Sequence, residues 1–149
     1  MDFYAGREHR ADAVLQITPL GQLPVLEDDG AYNRDAQASL VQVASRCEPT
    51  GTWWPVNDPS QLGRVAQWLA FADSITSTAS AARLHDVLGY DLDVAQARAG
   101  AHKLFRVLDD HLANQELPGF NWIAGSRPTV ADIACFPYVA LAGDGGIEA

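Results

Sequence analysis

The stretch Pro19-Leu-Gly-Gln-Leu-Pro-Val-Leu-Glu-Asp-Asp-Gly30, followed by Asn33-Arg-Asp-Ala-Gln-Ala38, carries strong constraints on the backbone. Because a proline cannot donate to a strand ladder, Pro24 within the apolar run 23–26 predicts a sheet edge, a strand start or a bend. An X-Pro bond in a packed turn is also where a cis peptide is favoured. The N–H and C=O of Leu23 are then candidates to stay unpaired and to take up an extended peptide as an added strand.

A hairpin and a helix are predicted directly after this edge. Glu27-Asp28-Asp29-Gly30 is typical of a hairpin turn, residues 31–33 would pair back, and residues 36–46 are compatible with a helix. Asp35 precedes that helix and is by default its cap. Its carboxylate is also placed to accept from a ligand ammonium, and a helix start attracts anions. Each feature alone favours an ordinary structural role, whereas their joint order favours a binding edge.

This region, with Gly6-Arg-Glu-His-Arg10 upstream and Pro128-Thr-Val-Ala-Asp132 downstream, resembles the glutathione S-transferase family. The resemblance implies an α+β/α fold. A partial thioredoxin-like N-terminal domain, a βαβ-derived remnant with a β-hairpin and a helix, would occupy residues 1–47. A linker would cover residues 48–58, and an all-α helical bundle domain residues 59–149.

The resemblance also implies a glutathione-binding site. His9 would contact the glycyl carboxylate, and Gln22 would contact the peptide. The backbone of Leu23 would pair with the cysteinyl residue, Pro24 would be the cis proline, and Asp35 would bind the γ-glutamyl ammonium.

The sequence departs from the family pattern in three places. Ala36 stands where the family usually has Ser or Thr, so the backbone N–H is retained but a hydrogen bond worth roughly 0.5–1.5 kcal/mol is lost. The family's first strand and helix, which carry the Tyr, Ser or Cys that stabilises the thiolate, would precede residue 1. Residues 2–5, including Tyr4, would then lie on the second strand, and the last helices would follow residue 149. We therefore expect a chain truncated at both ends, with no catalytic residue in it.

Three functional readings remain open. With a complete N-terminal segment, the resemblance implies an enzyme that conjugates glutathione to an apolar electrophile in detoxification, as a homodimer formed across the helices that begin at Asp35 and Pro59. The chain as given would at most bind glutathione, its only implied cofactor, as a substrate. The alternatives are a non-catalytic transferase-like interaction module and a truncated gene fragment.

Composition excludes several function classes. The 149 residues are 48% hydrophobic and 19% charged, as in ordinary globular proteins. A net charge of -9 argues against nucleic-acid binding, which needs clustered Lys and Arg. No apolar run is long enough for a membrane span, and the start lacks a secretory signal. Cys47 and Cys135 are isolated, which favours a reducing cytoplasm. His85, His102 and His111 are too dispersed for a metal site, and the last two are expected to be solvated.

A first long helix is predicted to start at Asp58-Pro59, with Asp58 as cap and Pro59 at the first helical position. Trp68 and Phe71 flank its apolar stripe and are candidates to line a co-substrate pocket, although burial between helices is the favoured alternative. The stripe itself consists of Leu62, Val65, Ala66, Leu69 and Ala72.

A second long helix is predicted over residues 93–114. Thr129 and Asp132 form a capping box with a structural role. Pro137 should bend or end the helix that follows. The apolar face of the second helix would comprise Val94, Ala97, Ala101, Leu104, Phe105, Leu108 and Leu112.

Overall fold

The computed structural model describes residues 7–148, and the strand predicted for residues 2–5, with Tyr4, lies outside them. A short hairpin and one helix lead into a helical body, as the predicted α+β/α class requires. The strands are β1 (Leu26–Asp28) and β2 (Ala31–Asn33). The α-helices are α1 (Asp12–Ile17), α2 (Ala36–Cys47), α3 (Pro59–Ile75), α4 (Ala81–Leu88), α5 (Val94–Glu116) and α6 (Val130–Ala140). Two 3-10 helices (Glu8–Arg10 and Ala142–Gly145) and a π-helical turn (Thr76–Ser80) complete the described elements.

The β1–β2 hairpin is antiparallel, with Leu26 opposite Asn33 and Asp28 opposite Ala31. Its turn places Asp29 at φ 49° and Gly30 at φ 80°. Positive φ at both central positions is the type I′ geometry that Asp-Gly favours, because its twist matches that of the strands. The prediction of this hairpin is confirmed.

Helix α2 packs beside the hairpin and is bonded to its turn. Arg46 pairs with Asp28 and, at 2.8 Å, with Asp29, and Gln42 donates to Asp28 at 2.6 Å. The helix ends at Cys47, one residue beyond the predicted end. These polar contacts fix β1 relative to α2.

Helix α3 begins as predicted, with Asp58 accepting from the Gln61 N–H and Pro59 at the first helical position. The predicted stripe is wrong at Ala66, which is exposed, because the buried face is centred on Trp68 and includes Ile75. Helix α3 packs mainly against α6, and α2 also contacts α6. The core therefore lies around α6.

Helix α5 runs two residues past its predicted end, after an Asp93 cap. Ala101 is fully buried, while Leu112, the last member of the predicted face, is 37% exposed. Helix α6 continues through Pro137 to Ala140, so the proline does not end it. Among the described residues, no helix has the length and apolar character needed to cross a membrane.

Candidate functional site

The Leu23–Pro24 peptide bond is cis, and Leu23 is 39% exposed. The ladder of β1 begins only at Leu26, so the segment before it lies outside the sheet. Within residues 7–148, the N–H and C=O of Leu23 have no hydrogen-bond partner. The open main-chain edge predicted from the proline is therefore present in the described part of the chain.

A hydrogen bond and a close backbone approach constrain the loop before Leu23. Buried Thr18 donates its hydroxyl to the carbonyl of Gln22 at 3.3 Å. Gly21 adopts φ 61°, and a Cβ there would lie 3.0 Å from Arg10 Cδ and 3.1 Å from the His9 carbonyl oxygen. A left-handed conformation and this close approach both favour glycine. The Gln22 side chain remains exposed.

Asp35 caps α2, since its carboxylate accepts from the Ala38 N–H at 2.8 Å. Its backbone carbonyl also accepts from the Ser39 hydroxyl at 2.7 Å. Asp35 therefore has the helix-capping role that was expected by default. Its side chain is exposed to solvent. Partial burial raises the pKa of Asp73 on α3, and the negative charge of nearby Asp35 raises it further. The start of α2 therefore lies in an acidic environment that favours a cation.

Ala36 and Pro24 line the same apolar cavity of about 400 Å³, which α6 closes on the other side. Ala36 is the first residue of α2 and offers its N–H but no hydroxyl. The structure thus brings together the cis proline and the start of α2. The other lining residues are Val25, Leu26, Gln37, Ser39, Leu40, Val43, Ile133, Ala134, Pro137 and Tyr138.

His9 is only 4% exposed and lies in the 3-10 helix Glu8–Arg10. It lines a second cavity of about 430 Å³, which does not include Leu23 or Asp35. The arginines that share this cavity, Arg7 and Arg10, were not singled out in the sequence. The sequence signal that could have found them is the positive charge on both sides of His9, at positions 7 and 10.

Trp68 is 5% exposed and belongs to the core. Its ring meets Phe71 edge-on at 4.8 Å between centroids and His111 at 4.4 Å. Trp68 is therefore buried between helices, which was the favoured alternative to a pocket role. A role for Trp68 and Phe71 in a co-substrate pocket remains a prediction.

His111 is not a solvated helix position, and that prediction is wrong. Its Nε2 lies 2.7 Å from the Ile123 carbonyl oxygen, and its ring packs on Trp68. The spacing from Leu104 and Leu108 places it on the inner face of α5. His102, by contrast, is exposed.

The Thr129–Asp132 capping box is present at the start of α6. The Asp132 carboxylate accepts from the N–H of Thr129 and from the N–H of Ile123, each at 2.8 Å. It therefore fixes the helix start and also the preceding segment. Among residues 7–148, no group of three His, Cys, Asp or Glu side chains is arranged to hold a metal ion.

Comparison with protein families extends the match beyond the region around Leu23. The family model for the glutathione S-transferase C-terminal domain matches residues 91–143, which include α5 and α6. Elongation factor 1-gamma of Artemia salina is 30% identical over 138 residues, covering 88% of this chain and 29% of the relative. The chain thus spans less than a third of that protein.

Two solved structures show the same architecture. The glutathione S-transferase of Xanthobacter autotrophicus superposes with a TM-score of 0.78 at 26% identity, covering 94% of this chain and 67% of that one. A glutathione transferase homologue of Lodderomyces elongisporus, crystallised with two glutathione molecules per subunit, gives 0.83 at 17% identity over 99% of this chain and 72% of that one. The chain is thus similar to the glutathione S-transferase family, in sequence over residues 91–143 and in fold over nearly its whole length.

Proposed function

We propose that this chain binds glutathione along the main chain of Leu23. The observation that supports this function most directly is the exposed Leu23, whose N–H and C=O have no partner within residues 7–148. An extended tripeptide would pair its cysteinyl N–H and C=O with them as a short added strand. Backbone pairing of this kind selects peptide geometry, and neighbouring groups supply specificity.

The start of α2 would bind the γ-glutamyl end. The N–H groups of Ala36 and Gln37 are the first of the helix and have no acceptor among residues 7–148, so they suit a carboxylate. Asp35 and the nearby Asp73 would attract the ammonium. His9 and the exposed Gln22 would act at the glycyl end and along the peptide. The Lodderomyces homologue, which shares this fold and is crystallised with glutathione, supports glutathione as the ligand.

In the whole protein, glutathione bound in this way would react with an apolar electrophile. The thiolate is the nucleophilic form, and lowering the thiol pKa would expose it at neutral pH. The residues described here would orient the tripeptide rather than activate its sulfur. A complete N-terminal segment would supply the activating hydroxyl or thiol.

Several finer points belong to the same proposal. The N-terminal domain would occupy residues 1–47, a linker residues 48–58 and the helical domain residues 59–149. The protein would serve detoxification in the cytoplasm as a homodimer, formed across α2 and α3. Trp68 and Phe71 would border the space for the electrophile.

Calorimetric titration with glutathione tests the binding proposal, with Asp35→Asn and Asp58→Asn as matched variants. Asn retains capping ability, so both helices keep their starts and only the charge is removed. Asp35→Asn should weaken glutathione binding about tenfold, since a charge-assisted hydrogen bond is lost. Asp58→Asn should leave binding unchanged.

A deaminated glutathione, which lacks the ammonium, provides the ligand control. It should bind the wild-type chain and Asp35→Asn equally, because neither complex contains the ion pair. The absence of heat with millimolar glutathione would overturn the proposal.

A non-catalytic interaction module is the second candidate. The similarity to elongation factor 1-gamma over 88% of the chain favours it, as does Ala36, which has no hydroxyl. A conjugation assay with an aromatic halide tests the module directly, because turnover by this 149-residue chain would exclude it. Glutathione binding without turnover would fit both functions, since the activating group of the enzyme would lie outside the residues described.

A further inference from the structure

A cavity of about 310 Å³ is bordered by α5, by α6 and by the segment that follows the last 3-10 helix. The α5 residues on its lining recur at spacings of three and four between His102 and Leu112, which places them on one face of the helix. Val139 of α6 and Glu148 complete the lining. None of the residues proposed to contact glutathione or to border the electrophile lines this cavity, so a ligand there would occupy a second site.

The apolar part of the lining is continuous with the core. Leu108 is 6% exposed, and Phe105 and Val139 pack against the buried core residues. Leu112, one turn after Leu108, is 37% exposed. The aromatic ring and these aliphatic side chains together form a surface on which an apolar body can pack.

Two carboxylates from distant segments meet at the same cavity. Asp109 lies on α5, one turn after Phe105, and Glu148 lies beyond the 3-10 helix Ala142–Gly145. Both residues are exposed. Within residues 7–148, neither carboxylate has an ion-pair or hydrogen-bond partner. Both are therefore available to a ligand.

The segment that carries Glu148 is anchored to the rest of the chain. Ile147 is 1% exposed, and its N–H donates to the Ala142 carbonyl at 3.2 Å. Arg98 of α5 donates through its Nε to the Gly145 carbonyl at 2.8 Å. Because the preceding residues are buried and hydrogen-bonded, the backbone at Glu148 has a defined position relative to α5.

The charges at the cavity favour a cation. Arg106 is the one guanidinium on the lining, so with His102 neutral the lining carries one positive and two negative charges. The whole chain, with a net charge of -9, adds a negative potential that attracts cations. A cation close to Phe105 is also attracted to the face of the ring.

We propose that this cavity binds an organic cation, an ammonium joined to an aromatic ring in particular. The ammonium pairs with Asp109 and Glu148, and the ring packs against Phe105, Leu112 and Val139. This inference goes beyond the function proposed for the edge at Leu23 and does not rest on glutathione binding.

NMR titration of the labelled 149-residue chain tests this site, with benzylamine as the probe and benzyl alcohol as its uncharged analogue. Benzylamine, which carries an ammonium at neutral pH, should shift the amides of residues 102–112, 139 and 148 saturably. Benzyl alcohol should bind about tenfold more weakly or worse, because it forms no charge-assisted pair. Equal binding of the two probes, or no saturable shift with benzylamine, would overturn the proposal.

Carboxylate variants locate the charge. Asp109→Asn and Glu148→Gln should each weaken benzylamine binding about three- to fivefold, since each removes one exposed ion pair. Asp110→Asn is the matched control, because it removes the same charge from the next residue of α5, which does not line the cavity. It should change the affinity by less than about twofold, since exposed charges farther from the ligand are screened. Glu148→Gln should stay folded, and unchanged binding by this variant would contradict the site.

Arg106→Gln distinguishes a cation site from an anion site. Removing a like charge from the lining should strengthen benzylamine binding about two- to threefold. Weaker binding by the folded variant would show that the ligand depends on the guanidinium, which contradicts a cation site. Benzoate should bind the wild-type chain more weakly than benzylamine does, and the reverse order would also overturn the proposal.

Discussion

At the residue scale, the two cysteines occupy opposite environments. Cys135 is 1% exposed within α6, with its Sγ 3.8 Å from the Trp68 carbonyl oxygen. Burial raises the pKa of its thiol to about 12, and the negative charge of Asp132 adds to the effect. Cys47 lies exposed at the end of α2. Since the thiolate is the reactive form, the two thiols should differ strongly in reactivity.

Alkylation with iodoacetamide at pH 8 should therefore modify one thiol per folded chain, and that thiol should be Cys47. Cys47→Ser should abolish the fast reaction, because Cys135 is both buried and protonated. In concentrated urea the wild-type chain should react at both thiols. Rapid modification of Cys135 in the folded Cys47→Ser variant, measured by mass spectrometry, would contradict this account.

Sequence reasoning at this scale succeeded where a residue acts on its own neighbours. The caps Asp35 and Asp58 and the cis bond before Pro24 follow from local chemistry. The failures are residues whose partners are distant. His111 meets the Ile123 carbonyl twelve residues away, and that contact exists only once the segment after α5 has folded back against the helix.

At the scale of elements, two helical glycines should respond oppositely to the same substitution. A Cβ at Gly63 on α3 would meet nothing within 4 Å. A Cβ at Gly100 on α5 would lie 2.7 Å from Thr78 Cγ2. Thr78 is held there, since its hydroxyl donates to the carbonyls of Ser74 and Ile75. The contact between α5 and the π-helical turn thus needs glycine.

Gly63→Ala should raise the free energy of unfolding by about 0.5–1 kcal/mol, because alanine restricts the unfolded chain and favours helix. Gly100→Ala should lower it by about 1–3 kcal/mol through overpacking. Urea denaturation monitored by circular dichroism measures both. A gain in stability for Gly100→Ala would contradict a tight contact between α5 and the π-helical turn.

The start of α6 should be more sensitive than the start of α3. Asp132→Ala leaves the N–H groups of Thr129 and Ile123 without an acceptor, and these two residues are 2% and 7% exposed. Each orphaned donor costs about 1–3 kcal/mol, so the loss for the two should be about 2–6 kcal/mol. Asp58→Ala removes one exposed cap and should cost about 1 kcal/mol. Similar losses for the two variants, measured by urea denaturation, would contradict the linking role of Asp132.

At the scale of the whole molecule, the outer face of α6 is apolar and accessible. Ile133 is 43% and Phe136 70% exposed, and Leu141 just beyond the helix is 45% exposed. Val43 of α2 is 46% exposed, and it lines the cavity of Pro24 and Ala36 together with Ile133. Contiguous apolar surface of this kind marks sites of association or self-association.

The fluorescence of the neutral dye Nile red should report this face. Phe136→Ser should reduce dye binding at least about twofold, since it removes much of the exposed apolar area. Val107→Ser, at a residue 47% exposed on α5, serves as the control and should change little. Equal effects of the two substitutions would show that the dye does not distinguish this surface.

The hairpin and helices α2, α3, α5 and α6 could be predicted from sequence because each carries its own turn or start signal. Helices α1 and α4 were not predicted, and neither has a side-chain cap at its start. The cavity that Arg7 and Arg10 share with Tyr90 could not be predicted, because residues 7–10 and 88–91 come together only in the folded chain. The stripe of α3 failed at Ala66 for a related reason. Periodicity gives one apolar face, but the position of α6 decides which edge of that face is covered.

Gly21 packs against the 3-10 helix Glu8–Arg10 from the loop that leads to Leu23. Any side chain there would push against Arg10 and the His9 carbonyl. Divergence of the sequence at this one position would thus displace the 3-10 helix and the loop together. Homologues that replace this glycine should have lost peptide recognition at Leu23 or rebuilt the loop before it.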